Sequence, residues 1–201
     1  MAILNKSGIV MVLACWEAFI EDLATHAFTW LLARAQSPTV FPNKVLTLAS
    51  KDHRESKDAR KVWELAGTGW RTALEAHKAE TLKKHVGKLN TPRTAQVDTM
   101  FSDLVGLGML SLSWRWQGIS NVKMKESLES LVTRRGEVAH RVKTSKPVLK
   151  KEVQRASELV ERLAIQSSNT VRQFLMTRVN GPEPWREYPT DNPAVNGRGD
   201  R

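Results

Sequence analysis

The chain of 201 residues holds one cysteine, Cys15, and one tyrosine. It has no uninterrupted apolar run near the ~18 residues that cross a bilayer, so no membrane association is expected. A single thiol excludes an internal disulfide and the paired thiols of a zinc site, and it fits a reducing cytoplasm. Neither a Gly-rich phosphate loop nor a Ser-His-Asp constellation is present. His26, His53, His77 and His85 are scattered without metal-ligand spacing to carboxylates. Each is read as structural, and no metal or other cofactor is expected. Strand patterning is also nearly missing. Leu112, Trp114 and Trp116 alternate with Ser113, Arg115 and Gln117 in the only strand-like run. A short run without a partner is read as an extended loop that lays tryptophans onto the rest of the fold.

What is present is helical periodicity and positive charge. Lys and Arg outnumber Asp and Glu by 31 to 21, a net +10 that calls for an anionic partner, with nucleic acid preferred. From Ser7 to Gln36 apolar residues recur at three- and four-residue steps, among them Ile9, Leu13, Trp16, Ile20 and Leu31, and predict one long amphipathic helix. Val12-Leu-Ala-Cys15 looks like a lipoprotein-processing box. The helical pattern running past it to Leu32 argues instead for a core helix with Cys15 inside.

A short helix is expected over Asn43–Ser50, then a polar break at Lys51–Glu55, then a second long helical region from Val62 to Leu89 that Gly67 and Gly69 weaken. Trp63 and Trp70, seven apart, are read as core residues of one face. Thr91 and Pro92 signal the start of a further helix carrying Val97, Met100, Phe101 and Leu104. Periodicity returns over Val122–Ala139 and again over Val148–Leu175. The expected fold is therefore an all-α bundle of four to five helices over residues 1–179. Residues 180–201, rich in Gly and Pro, are expected to be a flexible, disordered tail or at most a surface strap.

The candidate site lies near the end of the fourth helical segment, in Leu131-Val-Thr-Arg-Arg-Gly-Glu-Val-Ala-His140. Cleavage of RNA by its own 2′-hydroxyl needs a base, an acid and positive charge on the crowded phosphorus. Arg135 offers a permanently charged fork of donors, and His140 is the group for proton transfer. A five-residue helical step separates them by roughly 140° and about 7.5 Å of rise, so the arginine must wrap back toward the imidazole. One histidine is not readily both acid and base in one step, so two copies facing each other in a homodimer would supply a second imidazole. Arg141, Lys143, Lys146 and Lys150 form a basic flank where an RNA backbone would lie. Glu17, beside Trp16, is a candidate brace for Arg135 or His140.

Arg135-Gly-Glu-Val-Ala-His140 resembles the Arg-x4-6-His signature of the HEPN superfamily. Three blocks in order, Val12–Leu23, Leu89–Leu107 and Leu128–His140, resemble its RiboL-PSP-HEPN branch over most of residues 7–178. The resemblance implies an all-α HEPN bundle, a homodimer, and a metal-independent endoribonuclease serving as toxin or effector in bacterial conflict or antiviral defence, with a possible neutralising or activating partner protein. It also exposes departures. Gly136 stands where a polar residue is common, so a decayed, non-catalytic RNA- or protein-binding module is the alternative. Arg134 would serve as the motif arginine at the longer spacing. Val142 replaces the tyrosine that some relatives carry two residues past the histidine.

Overall fold

The computed structural model describes residues 2–86, 92–140 and 147–190, apart from the side chains of Ala2, Val86, Ala139 and His140. Eight α-helices and no strands occur among these residues: α1 (Ala2–Arg34), α2 (Asn43–Ala49), α3 (Lys51–Arg54), α4 (Arg60–Trp63), α5 (Gly69–Val86), α6 (Thr94–Leu104), α7 (Asn121–His140) and α8 (Lys150–Arg178). The five long ones form the expected all-α bundle, and α2, α3 and α4 are short connectors.

The spine of the bundle is α1. Ile9, Leu13, Trp16, Ile20, Ala24, Ala27 and Leu31 follow at three- and four-residue steps and all are buried. That spacing puts them on one face. Cys15 falls on the opposite face with Met11, Ala14 and Ala18 and is exposed, which corrects the expectation of a core cysteine. By length and composition α1 would also cross a membrane. Its apolar stripe lies in the protein core, while 22% of its apolar 18-residue window is buried. At its C-terminal end, the Arg71 guanidinium donates to the carbonyls of Leu32 (2.7 Å) and Ala35. These carbonyls have no partner within the helix, and a cation there also suits the helix dipole.

The helix α8 runs parallel to α1. Gly8 lies against Val153 near one end and Gly181 lies against Arg34 near the other. A β-carbon on Gly8 would stand 2.8 Å from Val153 Cγ1, so this close crossing depends on glycine. The loop after α6 lays Trp114 into the core as expected. Its indole is fully buried, donates to Ser167 Oγ at 2.9 Å and meets Trp16 edge-on at 5.8 Å. Asp98 accepts both the backbone N–H and the hydroxyl of Ser111, while the Asn121 amide donates to the carbonyls of Ser111 and Trp114. The loop's polar groups are thus satisfied by α6 and by the first residue of α7.

The region read as one helix from Val62 to Leu89 is broken. Gly67 adopts a left-handed φ of 59°, and the chain turns between α4 and α5. Trp63 and Trp70 therefore do not share a face: Trp63 is 78% exposed, whereas Trp70 is half-buried beneath the Arg71 guanidinium. The expected break at Lys51–Glu55 contains the single helical turn of α3. At the start of α6, Gln96 accepts from the Arg93 N–H and Glu129 of α7 accepts from the Thr94 N–H. Thr91, expected to cap this helix, lies outside the described residues.

Asp103 joins three elements that the sequence does not connect. It pairs with Lys44 of α2 at 2.9 Å and with Lys84 and His85 of α5 at 3.7 and 3.4 Å, while its carbonyl meets His77 Nε2 at 2.9 Å. His77 and His85 are buried structural residues, as expected. Beyond α8, residues 180–190 take the strap alternative. Arg172 holds the Trp185 carbonyl and the carboxylates of Glu183 and Glu187, and Asn169 exchanges two hydrogen bonds with the Tyr188 backbone. Residues 191–201 lie outside the described residues.

Candidate functional site

The buried stripe of α7 comprises Met124, Leu128, Leu131 and Val132, and it packs on α1. Continuing that spacing by one turn reaches Arg135, which is half-buried. A guanidinium thus takes the next position of an apolar stripe. Its stem can lie along the core while its head stays at the edge.

On α1, which packs against α7, Glu17 lies near enough to Arg135 to feel its charge. Its carboxyl is held above the usual range because burial disfavours the charge, and the positive charge of Arg135 offsets this only in part. Glu21, one turn on, is also raised, first by burial and then by the charges of Glu17 and Asp22. The turn carrying Glu17 is fixed by its neighbours. Trp16 is fully buried and donates to the Pro92 carbonyl at 3.3 Å, and Phe19 stacks on the same indole.

Arg134 has a different task. It donates to Glu137 at 3.1 Å, approaches Glu152 of α8 at 3.4 Å and reaches the Pro147 carbonyl at 3.4 Å. Its side chain is only 19% exposed. These contacts tie the end of α7 to the start of α8, which distinguishes it from Arg135. Among the described residues Arg135 has no hydrogen bond or ion pair within 4 Å; its described polar partner is the more distant Glu17.

Among the described residues, no atom lies within 4 Å of the place a β-carbon on Gly136 would take. His140 ends α7, and its imidazole lies outside the described residues, as do Arg141, Lys143 and Lys146. Lys150, Lys151 and Arg155 at the start of α8 are exposed. A wide groove of about 1650 Å³ runs between α7 and α8, floored by Met124, Leu131, Ala156 and Leu159, with Arg134 and Glu152 at the end nearest the motif. It lies beside Arg135 without including it.

Among the described residues no three His, Cys, Asp or Glu side chains gather as a metal site. The arrangement supplies a cation for an anionic ligand and a carboxylate able to exchange a proton. The signal for Glu17 in the sequence was its place beside a core tryptophan. The Asp103 cluster had no such signal, because its members come from three separate elements.

No curated protein and no solved structure matches this chain. A family model described as RiboL-PSP-HEPN matches residues 1–172, which takes in all of α1 to α7, the three resembling blocks and most of α8. The chain belongs to the RiboL-PSP-HEPN family.

Proposed function

We propose that this HEPN domain is a metal-independent endoribonuclease that acts in the cytoplasm as a toxin or effector of a bacterial conflict or antiviral defence system. The observation that carries the reading is the division of labour between adjacent arginines. Arg134 is engaged by Glu137, Glu152 and Pro147, whereas Arg135 continues the buried stripe of α7, near Glu17 on α1. Arg135 would clamp the scissile phosphate through its planar donors. His140 would transfer a proton, and the products would be a 2′,3′-cyclic phosphate and a 5′-hydroxyl. The exposed Lys150, with Arg141, Lys143 and Lys146, would hold the flanking backbone. In a homodimer with the two motif ends facing each other, one cleft would receive both guanidiniums and both imidazoles. A domain of this activity needs restraint in its own cell, so a neutralising or activating partner protein is part of the proposal.

The test is incubation of purified protein with total cellular RNA in EDTA, beside His140→Ala. The expected outcome is cutting by the wild type and none by the variant, with helicity and oligomeric state unchanged. Equal cutting by both would remove His140 from the chemistry. The position at Gly136, with no described atom near it, favours a second reading, a non-catalytic module that binds RNA or protein. RNA binding without cutting by the wild type would select it.

A further inference from the structure

We propose that the outward face of α1 is a dimer interface, packed antiparallel on the same face of a second copy of this chain, with the crossing between Ala14 and Cys15. This deepens the homodimer of the reading above, and it rests on that reading for what the dimer does but not for the surface it uses. Leu4, Met11, Ala14, Cys15 and Ala18 share this face, opposite the buried stripe of Ile9, Leu13, Trp16 and Ile20, and all five are exposed. Leu4 is 70% exposed and Met11 63%. Ile3 flanks them and is 81% exposed. The exposed Leu149 adds to the patch from the start of α8, because the Asn5 amide donates to the adjoining Val148 carbonyl at 2.9 Å. No charged residue occurs from Ser7 to Trp16. A contiguous exposed apolar surface of this kind marks a place of interaction.

The occupant follows from the register. About a two-fold axis midway between Ala14 and Cys15, two antiparallel helices present the same residues to each other. Met11 then stands level with Ala18 of the partner subunit, a long flexible side chain over a small one, and the same pair recurs across the axis. Ala14 and Cys15 at the crossing let the two backbones approach closely.

Charge closes the two ends. Asp22 continues the exposed face beyond Ala18, and among the described residues it makes no ion pair. In this register it comes level with the partner's Ser7. Val153 of α8 lies against Gly8, and Lys150 precedes Val153 by three residues on the same side of α8. Lys150 is exposed and also makes no ion pair among the described residues. Asp22 of each copy therefore meets the partner's Lys150, and two ion pairs flank an apolar centre. A lipid surface fits this face less well, since Asp22 lies in line with the stripe and anionic headgroups repel it. A two-fold axis perpendicular to the paired helices also leaves both copies of α7 at the same height along it, as a cleft shared by two motif ends requires.

The experiment is sedimentation equilibrium of the full chain at low micromolar concentration. It compares the wild type with Met11→Lys, Asp22→Lys, Lys150→Glu and the double variant Asp22→Lys with Lys150→Glu. All three positions are exposed, so the fold should be kept, and circular dichroism with thermal melts checks it. The wild type should be a dimer and Met11→Lys a monomer. Each single charge reversal should raise the dimer Kd by about 10-fold or more, and the double variant should recover most of the lost affinity. Mild oxidation should link wild-type chains through Cys15, which lies beside its symmetry mate, and should link Met11→Lys far less.

A wild-type dimer that none of these changes weakens would put the interface elsewhere and overturn the proposal, with the ribonuclease reading intact. A monomeric wild type would overturn it together with the homodimer of that reading. A monomer that sediments with vesicles of phosphatidylserine and phosphatidylcholine, and no longer does so as Met11→Lys, would make the face a lipid contact and overturn the proposal too. A dimer that answers to the variants as expected and cuts no RNA would sustain the interface and remove the ribonuclease reading instead.

Discussion

Gly136 shows how one residue carries two separable questions, one of stability and one of function. It sits inside α7 with φ in the ordinary helical range and, among the described residues, no atom near the place of a β-carbon. A helical glycine costs about 0.5–1 kcal/mol relative to alanine, chiefly through backbone entropy. Gly136→Ala should therefore raise stability by that amount in denaturant unfolding, with an unchanged slope. A loss of stability would mean that a neighbour, such as a second copy, approaches this face closely. At the same scale, the sequence points to Arg135 as the motif arginine and leaves Arg134 as the alternative at the longer spacing, and the two differ in their surroundings in the fold. Arg134 pairs with Glu137 and Glu152 while Arg135 continues the buried stripe of α7, and neither set of surroundings is a property of local sequence.

At the scale of elements, the junction of α2, α5 and α6 is held by one carboxylate. Burial by itself would raise the Asp103 carboxyl, but the hydrogen bond and charge of Lys44, the hydrogen bond of His85 and the charge of Lys84 outweigh it, and the net shift is downward. A carboxyl lowered in the folded state stabilises above its unfolded value of about 3.9, and that contribution is lost as pH falls through the folded value. Asp103→Asn should lower stability at neutral pH by roughly 1–3 kcal/mol. The variant should also show a shallower decline than the wild type on acidification below about pH 4. Parallel acid profiles in thermal melts would show that Asp103 contributes nothing to the pH dependence. The cluster was invisible in the sequence because Lys44, Lys84 and Asp103 meet only once α2 and α5 are folded against α6. The break between α4 and α5 was partly legible through Gly67 and Gly69, but only the left-handed turn at Gly67 reveals that Trp63 leaves the core face.

For the molecule as a whole, the motif end of the bundle presents a set of exposed cations. The end formed by the close of α7 and the opening of α8 carries Arg135, Lys150, Lys151 and Arg155, and residues 141–146 add three more cations. The opposite end of α8 is covered by the strap at 180–190. RNA should therefore lie across the first end. Four phosphate contacts would give the logarithm of affinity a slope of about −3 against the logarithm of salt for a single strand. Filter binding of the His140→Ala protein to an RNA oligonucleotide over a salt series measures it, with sedimentation reporting the oligomeric state in parallel. A flat series would remove this end as the RNA tract.

The order of apolar residues settled the helices by itself, because a 3.6-residue period buries one face whatever it packs against. It determined α1, α6, α7 and α8 to within a few residues and the loop that delivers Trp114, while the family was legible in the resemblance of three sequence blocks. Partnership was decided by the tertiary structure alone. It turned Cys15 outward, released Trp63, engaged Arg134 with α8 and set Glu17 near Arg135, since each of these depends on which helix lies across from a given face. Periodicity specifies that a face is buried, and packing specifies what meets it.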